Sequence, residues 1–379
     1  MELTKVLVLR TAALGDFIMS LPALRAIRAD FDGAELSLLT ASGSERDKVA
    51  QYAKMGEAPW VELARPHLIS DVIVLPRLSD ARAMFALRER LRDAQFKAAI
   101  ILCERGTPYR SRLKKWLLLK FLVGSVRIYG WRAKGSLDRS PESLERRGLL
   151  GHHVDGMFQY RRELFPDRKA EEDEIAFDIR PGDEAESWVV DWLSHTGWAG
   201  RCLIGIGPGA LQPHKRWPLG NFKDLVGRLL LKYPNAVFAI FGTKADWEVG
   251  EGLKGLAPDR IANLAGQTTI AQSAALMGKM NLLVGNDGGA MHLGDAAGCK
   301  VVSIVPGIEY PNSIEPRQNI RLAVRQPVEC APCYNFVACP RGDNRCMTEL
   351  SVEAVLENCE AALLADVSGK SCDSAGAQP

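Results

Sequence analysis

A chain of 379 residues exceeds what one ordinary hydrophobic core supports and suits two domains of similar size. Its 47% hydrophobic and 25% charged residues are those of a soluble globular protein. The net charge of +2 hides an uneven distribution: residues 105–147 hold twelve Lys/Arg against three Asp/Glu, so the remainder sums to −7. Such a basic region points one surface toward an anionic partner. The apolar run 6–9 is followed by Arg10 and Asp16, which is not the basic-then-long-apolar layout expected of a secretion signal. The most membrane-like run, 116–126, is split by Lys120 and is too short to span a bilayer. Nine cysteines in so long a chain do not form a secreted disulfide framework, and most are expected to be reduced in a cytoplasm.

Residues 5–9 (KVLVL) read as a first strand, 10–16 as a loop, and 17–27 as a helix with Ile18, Leu21, Leu24 and Ile27 on one face. Pro22 requires the helix to start near it or to kink there. Asp16 stands where strand hands over to helix. It reads either as an N-cap or as a carboxylate at the carboxyl edge of a parallel sheet, where α/β proteins place ligands. Further strands are expected at 34–39, 71–75 and 98–102, with a helix at 81–93. This alternation implies a doubly wound parallel sheet. Asp30-Phe31-Asp32, just before Gly33, reads as a solvated turn at a helix end rather than a metal-binding pair.

Residues 113–123 mix Lys114, Lys115 and Lys120 with large apolar side chains. Both a fold helix with snorkelling lysines and a helix resting on anionic lipid fit this pattern, and the former, with a basic exposed side, fits slightly better. His152 and His153 open a helical stretch to Leu164, but neighbours on a helix diverge, which argues against a shared metal. The charged segment 167–174 and the Pro181-Gly182 break locate a domain boundary.

The second half repeats the plan. In 203–217 (LIGIGPGALQPHKRW) a buried strand meets Gly205, Gly207 and Gly209, then His214, Lys215 and Arg216, before a helix from 222. Strand, glycine-rich turn, cations and helix suit a diphosphate, which needs backbone N–H donors and positive charge; a plain turn with solvated cations fits the spacing equally. Residues 282–293 (LLVGNDGGAMHL) offer a second anion-binding element, a helix N-terminus after two glycines, with Asp287 suited to sugar hydroxyls. Cys330, Cys333, Cys339 and Cys346 could hold Zn²⁺ or Fe, although only the first pair has metal-like spacing; free or disulfide-prone thiols are the alternative. A last helix is expected at 351–364 and disorder after Val367.

Four segments, RTAALGDFIMSLPALRAIR, GPGALQPHKRWP, LVGNDGGAMHLGDAAG and CAPCYNFVACPRGDNRCMTELSVEAV, resemble glycosyltransferase family nine, the ADP-heptose:lipopolysaccharide heptosyltransferases. They occur in the family's order and span residues 6–364. The resemblance implies two Rossmann-like doubly wound parallel-sheet domains facing a cleft, the GT-B architecture. The N-terminal acceptor domain would cover 1–180 and the donor domain 181–366, including the cysteine segment 330–346. A disordered tail at 367–379 would follow.

The resemblance also implies an inverting, metal-independent transfer with no cofactor. Asp16 matches the catalytic aspartate and Lys215 the lysine that binds the donor phosphates and stabilises the leaving ADP. Asp287, Gly289 and His292 match the motif holding the donor sugar and diphosphate. Gly288 departs from it, standing where the family has Ser or Thr, so a hydroxyl contact is missing. Gly209, Gly242 and Thr243 fall on the donor side by position. Arg10, Lys114, Lys115 and Lys120 are the expected contacts to a glycolipid acceptor at the inner membrane surface. A cytoplasmic enzyme, free or in peripheral membrane contact, follows, with neither a nucleic-acid partner nor a transmembrane segment. Protein or small-metabolite acceptors, another nucleotide sugar, and a non-catalytic nucleotide-sugar-binding protein are the alternatives. A nucleotide-dependent oxidoreductase is discounted because the loop RTAALGD lacks the G-x-G-x-x-G fingerprint.

Overall fold

The computed structural model describes residues 5–11, 13–31, 33–41, 59–104, 107–132, 151–165, 175–364 and 372. It divides into two units, Met1–Arg180 and Pro181–Pro379.

In the first unit β1 (Lys5–Leu9), β2 (Glu35–Ala41), β3 (Asp71–Leu75), β4 (Ala98–Ile101) and β5 (Arg127–Tyr129) form a parallel sheet ordered β3-β2-β1-β4-β5. A parallel sheet is covered on both faces, which is why β1 is apolar from Val6 to Leu9 and Val6, Leu7 and Val8 are fully buried. The crossovers include α1 (Leu14–Ile18), α2 (Leu21–Asp30), α3 (Ala81–Asp93) and α4 (Tyr109–Val123), followed by α5 (His153–Met157) and α6 (Gln159–Leu164). Pro22 lies in the first turn of α2, so the helix begins there instead of kinking. α3 starts where Asp80 accepts a 3.0 Å hydrogen bond from the Ala83 N–H.

The second unit repeats that order. β6 (Cys202–Gly207), β7 (Ala236–Ile240), β8 (Ile261–Asn263), β9 (Leu282–Asn286) and β10 (Val301–Ile304) pair in parallel as β10-β9-β6-β7-β8. Around them stand α7 (Asp183–Thr196), α8 (Leu219–Lys232), α9 (Trp247–Lys254), α10 (Ile270–Met277), α11 (Gly289–Ala296), α12 (Arg345–Thr348) and α13 (Val352–Leu364). Trp217, Phe222, Phe238, Ile204 and Val284 share its core. In both units the strand order reverses beside the first strand, at β1/β4 and β6/β9. Loops leaving the carboxyl ends there turn in opposite directions and open a crevice for ligands. Among the described residues no helix is long and apolar enough to cross a membrane.

Two expectations are corrected. Asp30 does end a helix, but it is not solvated: its side chain is fully buried. Arg161 grips it with Nε at 2.7 Å and Nη2 at 2.9 Å, and the Tyr160 hydroxyl donates to it at 2.8 Å. Asp32 lies outside the described residues. Cys202 and Cys372 form a disulfide across a sequence separation of 170, an exception to the expected reduced thiols. Of the tail expected to be disordered only Cys372 is described, and it is buried.

The Asp30–Arg161 pair yields a stability test. Arg161→Met leaves a carboxylate buried without its bidentate partner, and loss of one member of such a pair costs about 3–5 kcal/mol. Urea denaturation of wild type and variant measures it; a loss below about 1 kcal/mol, the scale of an exposed pair, would show that α2 and α6 do not depend on the pair.

Candidate active site

At the switch point of the first unit, β1 delivers Arg10 and β4 is followed by Glu104. The Arg10 side chain is 1% exposed and paired with the Glu104 carboxylate. Its Nη2 also donates to the Asp16 carbonyl at 2.6 Å, so one guanidinium joins the end of β4 to the first turn of α1. Burial alone would raise the Glu104 pKa, but Arg10, Lys115 and His153 hold it well below the usual carboxylate range. The Arg10 pKa, which burial would lower, is raised by the charges of Glu104 and Asp16. Arg112, fully buried, supports the same loop by donating from Nε to the Thr107 carbonyl at 2.9 Å and from Nη1 to Gln159.

Asp16 is the third residue of α1, whose N-cap is Ala13 with no side-chain cap. It is therefore not the cap, but a half-buried carboxylate in a helix's first turn at the carboxyl edge of the sheet. The four expected acceptor contacts do not all share a surface. Arg10 is committed inside the unit, because its charge is needed by Glu104. Lys115 is half-buried with Nζ 3.8 Å from the Cys103 sulfur, while Lys114 and Lys120 are exposed. Residues 105–106 and 133–147 of the basic region lie outside the described residues.

In the second unit the loops after β6 and β9 are tied by Asn286. Its Nδ2 donates to the Pro208 carbonyl at 2.7 Å and its Oδ1 accepts from the Trp217 N–H at 2.9 Å. This brings Lys215 beside Asp287, Nζ to Oδ2 3.2 Å, with side chains 15% and 6% exposed. His292 stands across the same carboxylate, Nε2 to Oδ1 4.0 Å. Burial lowers the His292 pKa, assisted by Lys215 and opposed by Asp287 and Glu315, so the imidazole is mostly neutral near neutral pH. α11 begins at Gly289, with Gly288 as an extended N-cap where a Cβ would meet the Asn286 carbonyl oxygen at an ordinary 3.8 Å. A cation and a neutral histidine thus flank one carboxylate just ahead of the α11 N-terminus, an arrangement able to receive an anion and hold hydroxyls.

Gly209 and Gly242 owe their identity to Asp246. A Cβ on Gly209 would fall 2.5 Å from its Oδ1, and one on Gly242 2.8 Å from its Cβ. Thr243 and Asp246 form a capping box, with the Thr243 N–H and hydroxyl donating to Oδ2 at 2.8 and 2.9 Å. Sequence reading passed over Asp246, although the T-x-x-D spacing before a helix marks such a box. It also passed over Glu104, whose signal is an acidic residue just beyond the apolar run of β4.

Cys330, Cys333, Cys339 and Cys346 line one pocket with His214 and Gly307. All four thiols are free. Backbone N–H groups of Asn344, Arg341 and Gly342 lower the Cys339 pKa against the effect of burial, while burial and the other three sulfurs raise that of Cys346. Among the described residues no three His, Cys, Asp or Glu side chains stand close enough together to hold a metal ion as they are.

The family model of glycosyltransferase family 9 (heptosyltransferase) matches residues 145–338. Lipooligosaccharide heptosyltransferase 2 of Haemophilus influenzae is 30% identical over 132 residues, 33% of this chain and 37% of that protein. Lipopolysaccharide heptosyltransferase 2 of Escherichia coli K12 is 24% identical over 382 residues, 95% of this chain and 99% of that protein. The chain thus spans about a third of the first relative and nearly all of the second. The solved family 9 glycosyl transferase of Veillonella parvula superposes with a TM-score of 0.69 at 20% identity, covering 96% of this chain and 99% of that one. The ADP-heptose LPS heptosyltransferase II of E. coli does so with 0.65 at 19%, covering 95% and 99%. These two likenesses establish the fold.

Glu104→Gln tests the first cluster. It leaves buried Arg10 without its paired carboxylate, at an expected cost of about 3–5 kcal/mol near neutral pH. Because the folded-state pKa of Glu104 is depressed, its contribution is complete above the unfolded value of 4.5 and is lost as pH falls below it. Denaturation at several pH values should show the gap between wild type and variant constant above that point and closing in acid; a gap that widens in acid would refute the assignment.

Proposed function

The chain belongs to glycosyltransferase family 9 and is a glycosyltransferase; on that premise we propose that it moves a heptose from ADP-heptose to a lipopolysaccharide inner-core acceptor by a single inverting displacement. Asp16 takes the proton of the acceptor hydroxyl. The oxygen attacks the anomeric carbon opposite the diphosphate, the sugar–phosphate bond breaks, and its electron pair leaves with ADP. Lys215 and the first N–H groups of α11 receive that charge, a task performed elsewhere by a metal ion. Asp287 and His292 hold the donor's sugar hydroxyls. The observation that carries this reading is the half-buried Lys215–Asp287 pair at the start of α11. A cation held by a carboxylate is released to phosphate when the carboxylate finds hydroxyl donors instead. The reaction is assigned to the cytoplasmic side of the inner membrane, where the acceptor is anchored.

ADP release with lipid A–core fragments as acceptor tests the roles. Lys215→Ala is expected to lower turnover by about 10²-fold or more, the scale of losing one preorganised charge-stabilising group. Asp16→Asn should nearly abolish turnover while leaving donor affinity within a few-fold, since its charge is needed at the acceptor. An Asp16→Asn enzyme keeping most of the wild-type rate would remove Asp16 as the base.

The cysteine pocket is proposed as a separate zinc or iron site of structural character, reached when the four thiols swing together on the ion. Its support is the common pocket and the N–H donors around Cys339. Brief EDTA treatment should leave the transfer rate unchanged, whereas stripping the metal lowers the melting temperature. Purified protein without stoichiometric metal would end this assignment, and an immediate EDTA loss reversed by Mg²⁺ would end metal independence.

A further inference from the structure

Helix α4 departs from the usual division of a surface helix. Leu119, Leu122 and Val123 face the core as a single apolar stripe should. On the opposite stripe Leu117 is 54% exposed and Phe121 38% exposed, in line with Arg110 and Lys114 at helical spacing. Helix α3, packed alongside, adds Phe85, which is 51% exposed. The Phe85 and Phe121 rings meet edge to face, centroids 5.7 Å apart. The Arg88 guanidinium lies 5.3 Å from the Phe121 centroid and 5.9 Å from that of Phe85, and its buried Nε has no hydrogen-bond partner among the described residues. Arg92 fastens the edge through Nη2 to the Phe121 carbonyl at 3.4 Å.

A solvated helix pair does not need three large apolar side chains outside its core, nor a cation held by two rings instead of a carboxylate. α4 carries five Lys/Arg and no acidic residue, and the acids on the α3 side are Glu89 and Asp93. Exposed aromatics ringed by Lys and Arg suit the boundary between lipid headgroups and acyl chains, where rings enter and cations reach phosphate. We infer that the α3–α4 face docks this protein onto an anionic lipid bilayer, with Phe85, Leu117 and Phe121 inserted and Arg88, Lys114 and Lys120 against lipid phosphate. Docking deepens the proposed use of a membrane-anchored acceptor. It is nevertheless read without substrate, so either idea can fail while the other stands.

The test is sedimentation of the full chain with vesicles of phosphatidylcholine alone or mixed with phosphatidylglycerol. Binding should appear on the anionic vesicles and weaken with added salt. The Phe85→Ser/Phe121→Ser pair and the Lys114→Glu/Lys120→Glu pair should each weaken it by about tenfold or more, with circular dichroism and ADP binding retained. If the serine pair unfolds, the charge-reversal pair, at two exposed positions, decides. Equal binding to both vesicles, or unchanged binding in the folded variants, would overturn the inference. So would light scattering that shows self-association lost in the serine pair without vesicle binding, which would make the face an interface between copies.

Discussion

Between β6 and β9 the backbones approach so closely that a Cβ on Gly285 would fall 2.3 Å from the Gly207 carbonyl oxygen; one on Gly207 would instead fall 2.7 Å from the Met291 methyl of α11. That approach brings the ends of the two strands level, and Asn286 can then brace both outgoing loops with one side-chain amide. Lys215 lies two residues before the braced Trp217 and Asp287 one residue after Asn286, so their contact follows from this bracing. Trp217 is itself fixed, through its indole N–H to the Leu350 carbonyl at 3.0 Å and an edge-to-face contact with Phe222. A larger residue at 207 or 285 would therefore act on chemistry it never touches.

The first unit solves the same topological problem with charge. Its switch point is braced by Arg10 instead of an asparagine, and Arg10, Arg112 and Arg161 are among its largest fully buried side chains. Removing such charges from water costs about as much as their pairing returns, so the net gain in stability is small. What the pairs supply is position: a guanidinium accepts few geometries, and each wrong register would leave it unpaired in the core. The Arg10 bridge thereby fixes the backbone of Asp16, which a loosely packed loop at the end of β1 would not do.

The elements legible in the sequence are those whose cause is local. KVLVL, DVIVL and AAII announce strands by unbroken apolar runs, and the Asp80 cap and Pro22 announce where helices begin. The glycine turns at 205–209 and 285–289 were also legible, because Gly205, Gly207, Gly209 and Gly285 stand where a Cβ would fall within 2.7 Å of a neighbouring atom. What stayed hidden depends on partners far along the chain. Asp30 looks like a turn residue until Arg161 arrives from 131 positions away, and Cys202 meets Cys372 across 170. Lys114, Lys115 and Lys120 read as one basic cluster, but a helix sends neighbours in different directions, and Lys115 turns toward Cys103. Gly242 and Thr243 fall on the donor side by position, and the partner that shapes their local geometry, Asp246, shows only in the fold.

The protonation of His292 completes the electrostatic logic of the donor side. Lys215 and Asp287 balance each other in a partly buried setting, where an uncompensated charge would be costly. A protonated His292 would add a second cation to that pair and would hold Asp287 just when the proposed donor requires it for hydroxyls. Burial prevents this by favouring the neutral imidazole. In the proposed reading an incoming diphosphate meets the Lys215 ammonium and a helix N-terminus, and its own charge displaces the carboxylate from Lys215. Lys215 is then already in place before the ligand arrives, its ammonium held by Asp287. Gly288 fits this arrangement: without a hydroxyl at the N-cap, the backbone N–H groups of α11 are what that turn offers the proposed diphosphate.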